Sequence, residues 1–150
     1  MQPSRPTLLI VDDDPSIQTL MRFILQTAFT VHTAADGAIA LQIARSLPID
    51  GVVLDLNLPG VSGWDVARTL QQEAPQLPIL VVTGRYNRPE EVLQNVAGST
   101  AALIKPFDPL DLITEVQGML AAHPPSWRGP GRLMAVHAGA LAGGADGQRR

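Results

Sequence analysis

The sequence has no cysteine and a single lysine. Without thiols there is no disulfide, no thiol nucleophile, no iron–sulfur cluster and no cysteine zinc site. The same absence suits a reducing compartment. Aromatic residues make up only 4% of the chain, so any core must be aliphatic. No apolar run approaches the ~18 residues of a membrane span. Met1 to Thr7 is polar and too short to read as a signal peptide. The expectation is a soluble cytoplasmic protein with no membrane insertion. Ten of the eleven cationic side chains are arginine, and the exception is Lys105.

What is present fits one ordinary domain. A chain of 150 residues buries a real core without staples. The net charge of −3 is uneven. Residues 1–121 hold seven Lys/Arg against thirteen Asp/Glu, whereas residues 122–150 hold four Arg against one Asp. An acidic body argues against nucleic-acid binding by that body.

Two kinds of segment alternate. Leu8 to Val11, Val52 to Leu54 and Ile79 to Val82 are short apolar runs rich in branched residues, as strands buried on both faces require. Val31 to Ala34 and Ala101 to Ile104 are weaker examples. Helical spacing runs between them. Ile17, Leu20, Met21, Ile24 and Ala28 follow Asp14-Pro15, an N-cap and first-turn proline. Ala40, Ile43, Ala44 and Leu47 repeat the spacing up to Pro48. Ser62 to Asp65 resembles a capping box ahead of Val66, Ala67 and Leu70. Val92, Leu93 and Val96 follow Pro89. Asp108-Pro109 opens a last helix carrying Ile113, Val116 and Leu120. Five β-α alternations predict a parallel sheet with helices on both faces. His123-Pro124-Pro125 stops the final helix, and the Gly-rich stretch beyond is loop-like. The expected division is an extension over 1–6, the domain over 7–121 and a flexible basic tail over 122–150. A tail of that size is too short for a usual DNA-binding output domain.

In an open parallel sheet, ligands bind beyond the carboxyl ends of the strands. Polar residues collect there: Asp12-Asp13-Asp14 after the first strand, Asp55-Leu56-Asn57 after the third, Thr83-Gly84 after the fourth, Lys105-Pro106 after the fifth. Any one of these could be a cap or a solvated turn; their shared rim carries the signal. Two unit charges 5 Å apart repel by roughly 3 kcal/mol at an effective dielectric near 20. Asp12, Asp13 and Asp55 together therefore call for a proton or a cation. Oxygen-only ligands favour a hard divalent ion: magnesium fits best, with manganese as the substitute. Lys105 adds a compact charge and Thr83 a hydroxyl. Around a nucleophilic carboxylate, this is equipment for handling a phosphoryl group.

Leu9-Ile10-Val11-Asp12-Asp13-Asp14-Pro15, Val53 to Gly63, Val81-Val82-Thr83-Gly84 and Ile104-Lys105-Pro106-Phe107 together resemble the receiver domain of two-component response regulators. The resemblance covers about residues 6–121. It implies a flavodoxin-like (βα)5 fold with strand order 2-1-3-4-5. It implies that Asp55 is the phosphoacceptor and that Thr83 and Lys105 contact the phosphoryl oxygens. Asp13 would ligate the metal directly, Asp12 mainly through water, and Asn57 through its backbone carbonyl. Asp14 remains an N-cap, and the Lys105–Pro106 peptide would be cis. A sensor histidine kinase or a histidine phosphotransfer protein would donate the phosphoryl group. The only catalysis would be of the domain's own phosphorylation and dephosphorylation. Helix four, strand five and helix five would form the face for a downstream protein, with the chain a monomer or a phosphorylation-dependent dimer.

The pattern departs in one place. Family members usually carry Tyr or Phe three residues before the lysine, where this chain has Ala102. Thr83-Gly84-Arg85-Tyr86 instead offers a tyrosine three residues after the threonine, a partial match to single-domain receivers with a Phe-Ala-Thr-Gly-x-Tyr signature. Tyr86 is therefore a switch candidate, against the plainer reading of a packed loop tyrosine. Asn57 and Arg85, each two residues beyond a site residue, are candidates for setting the acyl-phosphate lifetime, Arg85 by blocking the path of water; the plainer reading is a solvated arginine. His32 reads as structural, His123 and His137 as lying outside the body, and Trp64 as a packing residue near the site. Two alternatives stand beside the switch. A haloacid-dehalogenase-like magnesium phosphohydrolase would need an aspartate where Asn57 stands. A pseudo-receiver would bind partners without phosphorylation.

Overall fold

A computed structural model describes residues 5–124. The expected tail, apart from its first three residues, and most of the expected N-terminal extension lie outside them, as does His137. The elements alternate as β1 (Thr7–Val11), α1 (Pro15–Leu25), β2 (Thr30–Ala34), α2 (Gly37–Ser46) and β3 (Gly51–Leu54). They continue as α3 (Gly63–Glu73), β4 (Ile79–Thr83), α4 (Pro89–Asn95), β5 (Ala101–Ile104) and α5 (Pro109–Ala122). The sheet is parallel throughout, in order β2-β1-β3-β4-β5. The (βα)5 architecture expected from the sequence is the one observed.

Strand periodicity divides the core in two. Leu9, Val11, Val52, Leu54, Ile79 and Val81 face a cluster completed by α2, α3 and α4, including Ala40, Val66, Leu70 and Val92. Leu8, Ile10, Val53, Leu80 and Val82 face the other way, onto Met21, Leu25, Leu112 and Val116 of α1 and α5. Both faces of β1, β3 and β4 are thus covered, which explains their unbroken apolar runs. β2 and β5 are the edges, and their partial exposure explains their weaker patterns.

Details at three helix ends differ from expectation. α1 stops at Leu25, and the chain turns so that Phe29, not Ala28, enters the core. The N–H groups of Ala28 and Phe29 both donate to the Leu25 carbonyl. Ser62 accepts from the Asp65 N–H at 3.2 Å, but the Asp65 carboxylate pairs with Arg68 and does not close the box. His123 is the C-cap of α5, with its N–H donating to the Met119 carbonyl at 3.1 Å, so it belongs to the domain's last turn.

Candidate functional site

The register of the sheet sets the site. Val11 pairs with Leu54 and Thr83 with Ile104, so the residues that follow these strands gather at one rim. The Asp55 N–H donates to the Val11 carbonyl at 2.9 Å and the Lys105 N–H to the Thr83 carbonyl at 2.9 Å, which extends the ladder into the loops.

Asp12 is fully buried, whereas Asp13 beside it is exposed. The Asp12 Oδ1 accepts from the Asp14 N–H at 2.9 Å. Its Oδ2 accepts from Lys105 Nζ at 3.0 Å. Lys105 Nζ lies 3.5 Å from Asp55 Oδ2, so one ammonium links the two carboxylates. Asp55 Oδ1 accepts from the Asn57 N–H at 3.3 Å. Burial pushes the Asp55 carboxyl above its ordinary value and the charge of Asp12 adds to this; Lys105 and the Asn57 N–H pull it back without cancelling it. Burial works against the Lys105 charge, but its bond to Asp12 and the charges of Asp12 and Asp55 outweigh that, and its pKa is raised.

Asp14 caps α1 by accepting from the Ser16 N–H at 2.9 Å. Gln18 was invisible as a site residue in the sequence. Its side-chain amide donates to the backbone carbonyls of Asp12 at 2.6 Å and Ala34 at 3.1 Å, tying the acidic loop to α1 and β2. Gly63 ends the Val53 to Gly63 motif, and the fold supplies the reason for a glycine there. A Cβ there would collide with the Asp55 carbonyl oxygen and with Leu56 Cα. Only glycine lets α3 start this close to the backbone of Asp55.

On the other side of the rim, Thr83 is buried, and its hydroxyl accepts from the Arg85 N–H at 3.0 Å. The Arg85 side chain lies across the neighbouring loop. Nη1 donates to Asn57 Oδ1 at 3.2 Å, and the guanidinium sits 5.2 Å from the Trp64 ring centroid. Tyr86 is half-buried against the cluster that also contains Ala102. The Glu91 carboxylate accepts from the Asn87 and Arg88 N–H groups, each at 3.1 Å, and so caps α4. His32 lies in the edge strand β2, away from these residues in sequence and register. The Lys105–Pro106 peptide is cis.

The donor set fits a hard cation. Asp12, Asp13 and Asp55 each present a carboxylate oxygen, all within 4.8 Å of one another. These are the oxygen donors magnesium takes, and the exposure of Asp13 leaves room for waters to fill the remaining positions. Among the described residues, no helix is long and apolar enough to cross a membrane.

Comparison with known proteins agrees with this geometry. Residues 8–117 match the family described as the response regulator receiver domain. The DNA-binding response regulator MtrA of Mycolicibacterium smegmatis is 36% identical over 121 residues, covering 80% of this chain and 53% of MtrA. The chain spans about half the length of the curated relatives it matches. The CheY-like receiver of Methanospirillum hungatei superposes with a TM-score of 0.74 at 26% identity, over 80% of this chain and 97% of that one. The chemotaxis protein CheY4 of Vibrio cholerae does so with a TM-score of 0.71 at 33% identity, over 78% and 100%. A full-domain match, the 2-1-3-4-5 sheet and the acidic rim lead to one conclusion: this chain belongs to the response regulator receiver domain family.

Proposed function

We propose that this domain is a phosphoacceptor switch in which Asp55 takes a phosphoryl group from a phosphohistidine. The observation that supports this most is the single Lys105 ammonium shared between Asp12 and Asp55, at 3.0 and 3.5 Å, with the buried Thr83 hydroxyl across the rim. Receiver domains bind magnesium at an acidic pocket. Here Asp12, Asp13, Asp55 and the Asn57 carbonyl would hold the ion. When bound, it neutralises phosphoryl charge.

In the transfer, an Asp55 carboxylate oxygen bonds to phosphorus as the histidine N–P bond breaks. The bonding pair returns to the imidazole of the donor, a sensor histidine kinase or a histidine phosphotransfer protein. Lys105 pairs with the incoming phosphoryl oxygens, and Thr83 hydrogen-bonds to one of them. Hydrolysis later returns Asp55 to its resting form, with Asn57 and Arg85 flanking the approach of water. Tyr86 takes the switch role that Ala102 cannot fill. Downstream binding falls to the α4–β5–α5 face, where Leu93 and Leu110 are exposed, and the setting is the cytoplasm.

Intact mass after exposure to acetyl phosphate and magnesium tests the reading. The expected result is one phosphate adduct on the wild type and none on Asp55→Ala. An adduct that survives Asp55→Ala, or no adduct on folded wild type at minute time resolution, overturns it.

A further inference from the structure

Trp64 has no part in the chemistry described so far, yet it is held beside it. The Gly63 N–H donates to the Leu56 carbonyl at 3.0 Å, and Gly63 has no side chain to keep α3 off the Asp55 backbone. The next residue, Trp64, is therefore fixed relative to the phosphoacceptor. One part of its ring packs against the core, and Arg85 lies over it. A guanidinium on an indole face is attracted by the ring quadrupole and restricted in where it can go. The same guanidinium reaches Asn57 Oδ1, so side chains from the loops after β3 and β4, each two residues beyond Asp55 or Thr83, meet at the rim. Asp55 and Thr83 are buried, whereas Asn57 and Arg85 are exposed.

We propose that Trp64 is a positioning residue: its indole holds Arg85 against Asn57 at the rim and thereby lengthens the life of the phosphorylated state. The proposal rests on the reading of Asp55 as phosphoacceptor. In the hydrolysis it slows, a water oxygen bonds to phosphorus and the Asp55 oxygen–phosphorus bond breaks. The electron pair returns to the carboxylate, and the water proton leaves with phosphate or solvent. A guanidinium pinned at the rim narrows the line along which that water must arrive. An unpinned one samples solvent and leaves the line open.

The test follows decay of the acetyl phosphate-generated adduct by intact mass after the donor is removed. Trp64→Leu and Arg85→Gln should each speed decay about threefold, the order of an exposed cation–π preference. The double variant should decay no faster than Arg85→Gln alone, because the ring acts through the arginine. Trp64→Phe keeps a ring and should restore most of the lifetime. Wild-type decay in Trp64→Leu, multiplied rates in the double variant, or no rescue by phenylalanine each overturns the proposal. The chain has a second tryptophan, Trp127, so fluorescence is read in a Trp127→Phe background. There Arg85→Gln should shift Trp64 emission in the unphosphorylated protein. An unchanged spectrum refutes the stack, whatever the phosphorylation result. Absence of any wild-type adduct refutes the role of Asp55 instead. Should Trp64→Leu fail to fold, the exposed Arg85→Gln still breaks the contact from its other side.

Discussion

At the β1–β3 side of the rim, Asp12, Asp13 and Asp55 bring like charges within 4.8 Å of one another, and burial raises the Asp55 pKa. At the β4 side, Arg85 and Tyr86 settle onto Trp64, Asn57 and the core through a stack, a hydrogen bond and apolar contact. The first arrangement is held against its own electrostatics by the strands beneath it. The second is relaxed. Sites built to meet a ligand often store such cost in the resting fold. The two sides should therefore answer oppositely to substitution.

The largest effect is expected where packing holds the charged side in place. Gly63→Ala puts a Cβ against the backbone of Asp55 and Leu56, atoms that cannot rotate away. Alanine's intrinsic helix advantage of about 1 kcal/mol does not offset this. The expected loss is about 2–3 kcal/mol, read by urea unfolding, with lower yield of the Asp55 adduct. An unchanged or higher midpoint would mean that α3 can step back freely and that its close approach does not define the site.

Removing the charge itself should act in the other direction. Asp55 has a raised pKa in the fold, so its preference for the proton stabilises the protein fully below the free-aspartate value, about 3.9. That contribution is lost as pH rises through the shifted value. At neutral pH the wild type therefore carries a buried charge at a cost. Asp55→Asn carries none and should melt a few degrees higher in the absence of divalent ions. Its lead should close as pH falls through the shifted value towards that of free aspartate. Magnesium should narrow the lead at neutral pH, because an ion bound by the folded wild type raises its stability by mass action. Equal melting temperatures at neutral pH without metal would show that Lys105 already balances the cluster.

The sequence made the fold legible where burial is two-sided. β1, β3 and β4 read as strands because every residue on them except Thr7 is buried, and the Asp-Pro caps of α1 and α5 state their own starts. The polar rim was legible as well, since strand ends fix which loops meet. What escaped detection depends on contacts far apart in sequence. Asp12 and Asp13 are the same residue type side by side, yet one is sealed under Lys105 and the other faces solvent. Gln18 looks like an ordinary helix residue until β2 comes alongside. Trp64 and Arg85 are separated by a helix and a strand, and no local pattern announces that they touch. The short side chain of Asp65 left the expected capping box half made.

The smallest change in stability, and the sharpest separation of the two sides, should come from Tyr86→Leu. The substitution keeps apolar volume against the first core cluster and should cost about 1 kcal/mol or less. It leaves Asp12, Asp13, Asp55, Thr83 and Lys105 in place, so the yield of Asp55 adduct should stay at the wild-type level. The effect should lie in how the phosphorylated state is felt elsewhere. Thr83 accepts the Arg85 N–H in the resting state, so a phosphoryl oxygen that accepts from the Thr83 O–H and draws the hydroxyl towards it pulls on the backbone one residue before Tyr86. If the ring carries the disturbance onward, phosphorylation changes amide exchange through 84–88 and α4 in the wild type and not in Tyr86→Leu. Ala102 has no ring with which to do this, although it shares the same core. A wild-type exchange response in Tyr86→Leu would reduce Tyr86 to a packing residue and leave the switch to the backbone of the β4–α4 loop.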